Sequence, residues 1–187
     1  MDFTTLLVII GLAVVIGIFL YNNLVSLRQK HRQAFSDIDV QLKQRYDLVP
    51  QLVETVKGYA AHEKEVLENV TNARTGIDKA GDSIGQRVDA ENKLAGALMN
   101  LFAVAENYPD LKASDNFQNL MDELSEIEDK IAAARRFYNS ATQKLNTAIE
   151  QFPGSIIANN FGFEAEEFFE VDEATQKAMQ EPPEVKF

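Results

Sequence analysis

No cysteine occurs anywhere in the 187 residues, so disulfides, zinc-thiolate sites, thiol nucleophiles and lipid attachment through an amino-terminal Cys are excluded by chemistry alone. Tryptophan is also absent, and glycine and proline number only 9 and 5. That composition suits packed helices better than a turn-rich all-β fold. Positive charge is in deficit: 18 Lys and Arg face 29 Asp and Glu, leaving a formal charge of -11. A field of that sign repels nucleic acid backbones, so no DNA or RNA partner is expected.

Histidine is limited to His31 and His62. A di-metal carboxylate site in a helical bundle needs Glu-x-x-His, and Arg28 and Tyr59 stand where those Glu residues would be. Glu123, Glu126 and Asp129 share a helix face at three-residue spacing, which reads as a solvated acidic stripe. No zinc-protease motif, nucleophile elbow or phosphate-cradling glycine loop is present. No catalytic residue, metal site or cofactor is therefore expected, and the chain reads as a non-enzyme.

What the sequence does contain begins with a long uncharged run. From Phe3 to Leu27 there is no charged residue, and Leu6 to Tyr21 is almost purely aliphatic. Phe3 to Leu24 supplies the roughly 20 apolar residues that a helix needs to cross a bilayer core. Tyr21, Asn22 and Asn23 stand where an interface accepts polar and amphipathic groups. A cleaved secretory signal should start with a positive region and end at a small-x-small site; Met1-Asp2 and Phe19-Leu20-Tyr21-Asn22-Asn23 offer neither. Residues 1–27 are therefore read as a transmembrane anchor in contact with the lipid bilayer. Arg28, Lys30 and Arg32 cluster just beyond it, and cationic flanks stay in the cytoplasm. The amino terminus is expected outside and the remaining chain inside, with the three cations able to meet anionic headgroups. Ala13 and Gly17 form a small-xxx-small pair of the kind that lets two transmembrane helices approach closely.

Beyond the anchor, apolar residues recur every three or four positions, the period of an amphipathic helix. One stretch runs from Leu24 through Phe35, Ile38 and Leu42 to Tyr46, and a second from Val49 through Val56 and Leu67 to Ile77. A third covers Leu94 to Tyr108. The fourth, Phe117, Leu120, Leu124, Ile127, Ile131, Ala134, Tyr138, Ala141, Leu145, Ala148 and Phe152, keeps a strict alternation of three and four. Such a seam belongs to helices that cross at a shallow angle, as in bundles and coiled coils.

Punctuation places the boundaries. Ser83-Ile84-Gly85-Gln86 reads as a capping box, Gly76 and Gly81 as helix ends, and Ser114 or Asp115 as a start. Pro109 and Pro153-Gly154 close the third and fourth helices. At Asp47-Leu48-Val49-Pro50 two readings stand. A reversal there gives four helices of similar length, whereas the unbroken apolar phase suits one long first helix kinked at Pro50, giving three. Four is preferred, because an unpaired stalk would leave the Leu24 to Tyr46 stripe without a partner. A helical domain is thus expected over 28–154. Residues 155–187 form an acidic tail, which Ile156, Ile157, Phe161, Phe163, Phe168 and Phe169 should dock at least in part on the helices or on a partner.

Arg45-Tyr46-Asp47 and Arg135-Arg136-Phe137-Tyr138-Asn139 are polar patches beside seam residues. Arg45, Tyr46, Asp47, Arg135, Arg136 and Tyr138 are candidate contacts for a partner or a second subunit. A cap plus salt bridges between facing helices is the preferred role for them, since each patch sits beside seam residues.

Several segments resemble the LemA family of bacterial membrane proteins. They include Tyr21-Asn22-Asn23-Leu24-Val25, Asp37 to Lys43, Arg45-Tyr46-Asp47-Leu48-Val49-Pro50-Gln51-Leu52-Val53 and Val56-Lys57-Gly58-Tyr59. Glu106-Asn107-Tyr108-Pro109-Asp110-Leu111, Arg135 to Asn139, Phe152 to Ala158, Phe161-Gly162-Phe163 and Pro183 to Phe187 follow in order. The resemblance covers essentially the whole chain. It implies a bundle of antiparallel helices on one N-terminal transmembrane helix and no established enzymatic activity; with the helix count preferred above, the expected fold is all-α, an N-terminal transmembrane helix followed by an up-and-down antiparallel four-helix bundle. The family's relatives in magnetosome membranes, and others encoded beside membrane metallopeptidases, imply a role in organising membranes or in their quality control.

The leading functional expectation is a non-enzymatic scaffold or adaptor that homo-oligomerises at the bacterial inner membrane and recruits partner proteins. A regulatory or substrate-delivering partner of a membrane metallopeptidase is the second, and a small-ligand sensor the third.

Overall fold

The computed structural model describes residues 2–79 and 84–169. Among these the chain is all-α, with six helices and no strand: α1 Phe3–Tyr59, α2 Lys64–Lys79, α3 Ile84–Ala105, α4 Pro109–Lys112, α5 Asp115–Glu150 and α6 Gly154–Phe161. Two compact units divide the described residues, one formed by 2–39 and 133–168, the other by 40–79, 84–132 and 169. Both α1 and α5 contribute to each unit.

In the first unit the apolar residues of α1 up to Phe19 are exposed, and burial begins at Leu24. Leu24, Ala158 and Phe163 form a small core, flanked by Tyr21, Val25, Ala148, Ile149 and Ile157. Farther along, His31, Ala34 and Ile38 of α1 and Tyr138, Ala141, Thr142 and Leu145 of α5 are buried. After α6 the chain reverses at Gly162, whose φ of 67° is left-handed and favours a residue without Cβ. The Phe163 amide then donates to the Ala158 carbonyl at 3.0 Å, closing the helix end. Asn146 clamps the following segment twice, donating to the Glu166 carbonyl and accepting from the Glu166 amide, both at 2.9 Å.

In the second unit Leu42, Val49, Leu52 and Val56 of α1, Leu67 and Val70 of α2, Leu94, Leu98 and Leu101 of α3, Leu111 of α4, and Phe117, Leu120, Leu124 and Ile127 of α5 are buried. All of these but Leu111 are the periodic positions of the sequence. The fourth seam is therefore real along α5 except at its end: Phe152 lies past the last turn and is 79% exposed.

One expectation is corrected. The break preferred at Asp47-Leu48-Val49-Pro50 does not occur, because α1 runs through Pro50 to Tyr59. Proline removes the amide that would bond to the carbonyl four residues back, here Tyr46. Arg74 of α2 supplies the missing donor, its Nε bonding the Tyr46 carbonyl oxygen at 3.3 Å while its guanidinium lies 3.8 Å from the centre of the Tyr46 ring. The reversal instead falls at residues 60–63, where the Glu63 amide donates to Ala60 and the Glu63 carbonyl accepts from Leu67 in the first turn of α2. Gly76, read as a helix end, lies inside α2. Pro109, read as a stop, opens α4. Gly81 and Ser83 lie outside the described residues, as do residues 170–187 of the acidic tail.

Candidate functional site

The most heavily charged interior point lies in the second unit. Arg45 of α1 is 1% exposed and Glu91 of α3 is 2% exposed. The Arg45 guanidinium donates to Glu91 through Nη2 and to Glu128 of α5 through Nη1, the latter at 2.7 Å. Glu128 keeps 38% of its side chain in solvent. Burial pulls the arginine pKa down, but Glu128 and Glu91 together outweigh it and raise the pKa above the ordinary value. The Arg45 Nε is buried without a hydrogen-bond partner among the described residues. Three helices are thereby pinned in one register, the best-attested use of a buried polar group in a helical seam.

The first unit has its own buried polar pair. His31 packs on Tyr138, ring centroids 4.7 Å apart. Desolvation lowers the His31 pKa below 6.5, assisted by Arg32 and opposed by Glu166. Its Nε2 has no hydrogen-bond partner among the described residues. The buried Tyr138 hydroxyl donates to the Glu167 carbonyl at 3.0 Å, and burial pushes its pKa up to about 12. Both groups stay neutral at neutral pH, and the Tyr138 hydroxyl holds the 163–168 segment by its hydrogen bond to Glu167.

The remaining candidate residues fall in different places. Tyr46 is half-buried beneath Arg74. Asp47 is exposed and lines an open polar groove of 430 Å³ with Gln51, Glu123, Glu126 and Lys130, where Lys130 pairs with Glu126 at 2.7 Å. Arg135 is half-buried and Arg136 exposed. Of the flanking cations, Lys30 and Arg32 are exposed, whereas Arg28 is half-buried with its guanidinium 4.6 Å from the centre of the Phe163 ring. A side chain added at Gly17 would lie 3.9 Å from Ile157, so Gly17 faces α6; Ala13 is open. A second groove of 780 Å³ between α2 and α3 is lined by Asn69, Asn72, Gly76, Asp89, Lys93 and Asn100. Among the described residues no three of the His, Asp and Glu side chains group as a metal ion requires.

The sequence carries a signal for the burial of Glu91 and of His31 that weighing His31 as a metal ligand does not use. Positions 24, 28, 31, 35, 38, 42, 45, 49, 52 and 56 follow the same alternation of four and three as the buried apolar residues, as do 91, 94, 98, 101 and 105. A polar residue standing in such a row is a candidate for burial with a partner.

These features define a helical protein with, among the described residues, one helix long and apolar enough to cross a membrane. The LemA family model matches residues 34–187, and the chain belongs to the LemA family. It is 28% identical over 175 residues to Magnetosome protein MamQ 1 and MamQ 2 of Paramagnetospirillum magneticum, covering 80% of this chain and 64% of each relative. It is 27% identical over 174 residues to Protein LemA of Metamycoplasma hominis, covering 87% of this chain and 80% of that one. The chain thus spans just under two thirds of the MamQ relatives it matches.

Proposed function

We propose that the chain is a non-catalytic, membrane-anchored scaffold whose first helix crosses the bacterial inner membrane, amino terminus outside. Its cytoplasmic body is an up-and-down bundle of four helical segments that self-associates and receives partner proteins. The observation that carries this reading is the division of labour along α1. Phe3, Leu7, Val8, Leu12, Val15 and Phe19 are all exposed, while Leu24, Ile38, Leu42, Val49 and Leu52 of the same helix are buried against neighbours. A run of exposed aliphatic side chains that long is tolerated where lipid replaces water. The relatives' description as magnetosome proteins supports a place at a membrane-bounded structure. Exposed Asp47 and Arg136, and the two polar grooves, are the surfaces on which partner binding would fall.

The test is to extract the full chain gently from membranes that have been washed at high salt, then to measure particle mass and identify retained proteins. Large homo-oligomers carrying other proteins are expected. A lone monomer with no companions would overturn the scaffold, and recovery without detergent would overturn the anchor. One-to-one retention of a membrane metallopeptidase would replace the scaffold with a regulatory role.

A further inference from the structure

Outside the stretch that precedes Arg28, the longest charge-free run in this charge-rich chain is Gln151 to Phe163. The run from Leu94 to Ala105 is nearly as long, and α3 buries it through Leu94, Leu98, Leu101 and Ala105. α6 buries only one side. Gly154 and Ala158 face inward with Ile157, which leaves Ile156 52% and Phe161 60% exposed, and Phe152 just ahead of them more so. Apolar exposure of this density beside an uncharged backbone needs a partner.

The position of α6 says which. Ile157 reaches Gly17 of α1, and the Phe161 ring centroid lies 4.8 Å from that of Tyr21. At 1.5 Å per residue, Gly17 lies about 7–8 Å along the axis before Asn22, the first polar residue after the aliphatic run. α6 therefore lies alongside the last turns of the segment read as crossing lipid, at a depth within the 5–10 Å that interfacial helices occupy. Exposed Asn22, Asn23, Asn159 and Asn160 supply polar groups close by, and exposed Lys30 and Arg32 follow two turns farther along α1.

We propose that α6 with Phe152 is a second membrane-contacting element. It is an interfacial wedge that sets Phe152, Ile156 and Phe161 at the boundary between headgroups and acyl chains, forming a collar where α1 leaves the bilayer. Its occupant is lipid, because α6 meets α1 at Gly17 and Tyr21, on either side in sequence of the exposed Ile18 and Phe19 of the segment read as crossing lipid. The proposal rests on the reading that α1 spans a membrane.

The absence of cysteine makes the test direct. Single-cysteine variants Phe152→Cys, Ile156→Cys, Ile18→Cys and Asn119→Cys of the full chain carry a nitroxide label in phosphatidylcholine and phosphatidylglycerol vesicles. Collision with lipid-soluble oxygen is then compared with collision with a water-soluble nickel chelate. The oxygen-to-nickel ratio at Phe152 and Ile156 should approach that at Ile18 and exceed that at Asn119 on the order of tenfold, as expected at interfacial depth. A water-like ratio at Ile156 with a lipid-like ratio at Ile18 overturns the wedge and leaves the anchor standing. Water-like ratios at both overturn the anchor reading itself. Shielding of Ile156 from both reagents, with dipolar broadening between labels, would mean that a second copy of the chain covers this face and would also overturn the wedge.

Discussion

Replacing Arg45 by methionine keeps an unbranched, largely apolar stem and removes the charge that Glu91 and Glu128 share. Breaking a buried ion pair from one side costs about 3–5 kcal/mol, because a carboxylate taken out of water loses its counter-charge. The full stability of a domain is only about 5–15 kcal/mol. Arg45→Met should therefore shift the urea midpoint of the full chain in detergent micelles far toward zero, read by the helical circular dichroism signal. Glu128→Gln should cost no more than about 1 kcal/mol, since that side chain is 38% solvated. The pair Arg45→Met and Glu91→Leu removes both buried charges and should recover most of the loss, because apolar replacements of similar volume are often neutral or stabilising. The double-mutant cycle isolates this coupling. If the two single losses simply add, or if Arg45→Met costs under about 1 kcal/mol, the buried ion network does not pin the second unit.

The histidine buried against Tyr138 makes stability depend on pH. Its folded pKa lies below 6.5 through desolvation, so between that lowered pKa and 6.5 the unfolded chain holds the extra proton. Stability should fall as pH drops below 6.5 and level off below the folded pKa, with a slope of at most about 1.4 kcal/mol per pH unit. His31→Leu should flatten that part of the urea-midpoint profile between pH 7 and 5, and an unchanged slope would refute the assignment. At Gly154 an added Cβ would sit 2.5 Å from the Ala148 carbonyl oxygen, a backbone atom that cannot rotate aside. Gly154→Ala should cost about 1–3 kcal/mol by overpacking and raise amide exchange across 152–163, whereas undiminished protection there would contradict the close turn.

Much of the fold was legible in the residues. The aliphatic stretch before Arg28 and the α5 seam are repeating patterns, and Asp115 does begin α5. The short helices α4 and α6 escaped because four and eight residues are too few for a period to show. A salt bridge from Arg45 to a facing helix was legible in its patch beside the seam, but its partners Glu91 and Glu128 were not, because nothing local marks which carboxylates will meet it. Only a row-by-row count of seam positions reveals that Arg45 and Glu91 interrupt an apolar line.

From sequence alone came the helical class, the lipid-compatible stretch and the apolar faces. Each follows from local or additive properties: transfer free energy per residue, helical period and net charge. Whether α1 stopped at Pro50 depended on Arg74, 24 positions onward, bringing its Nε to the Tyr46 carbonyl. The depth at which α6 meets α1 depended likewise on Gly17 and Ile157 coming together from distant parts of the chain. Neither contact carries a periodic trace, because a single donor or a single van der Waals neighbour exists only once the chain has folded.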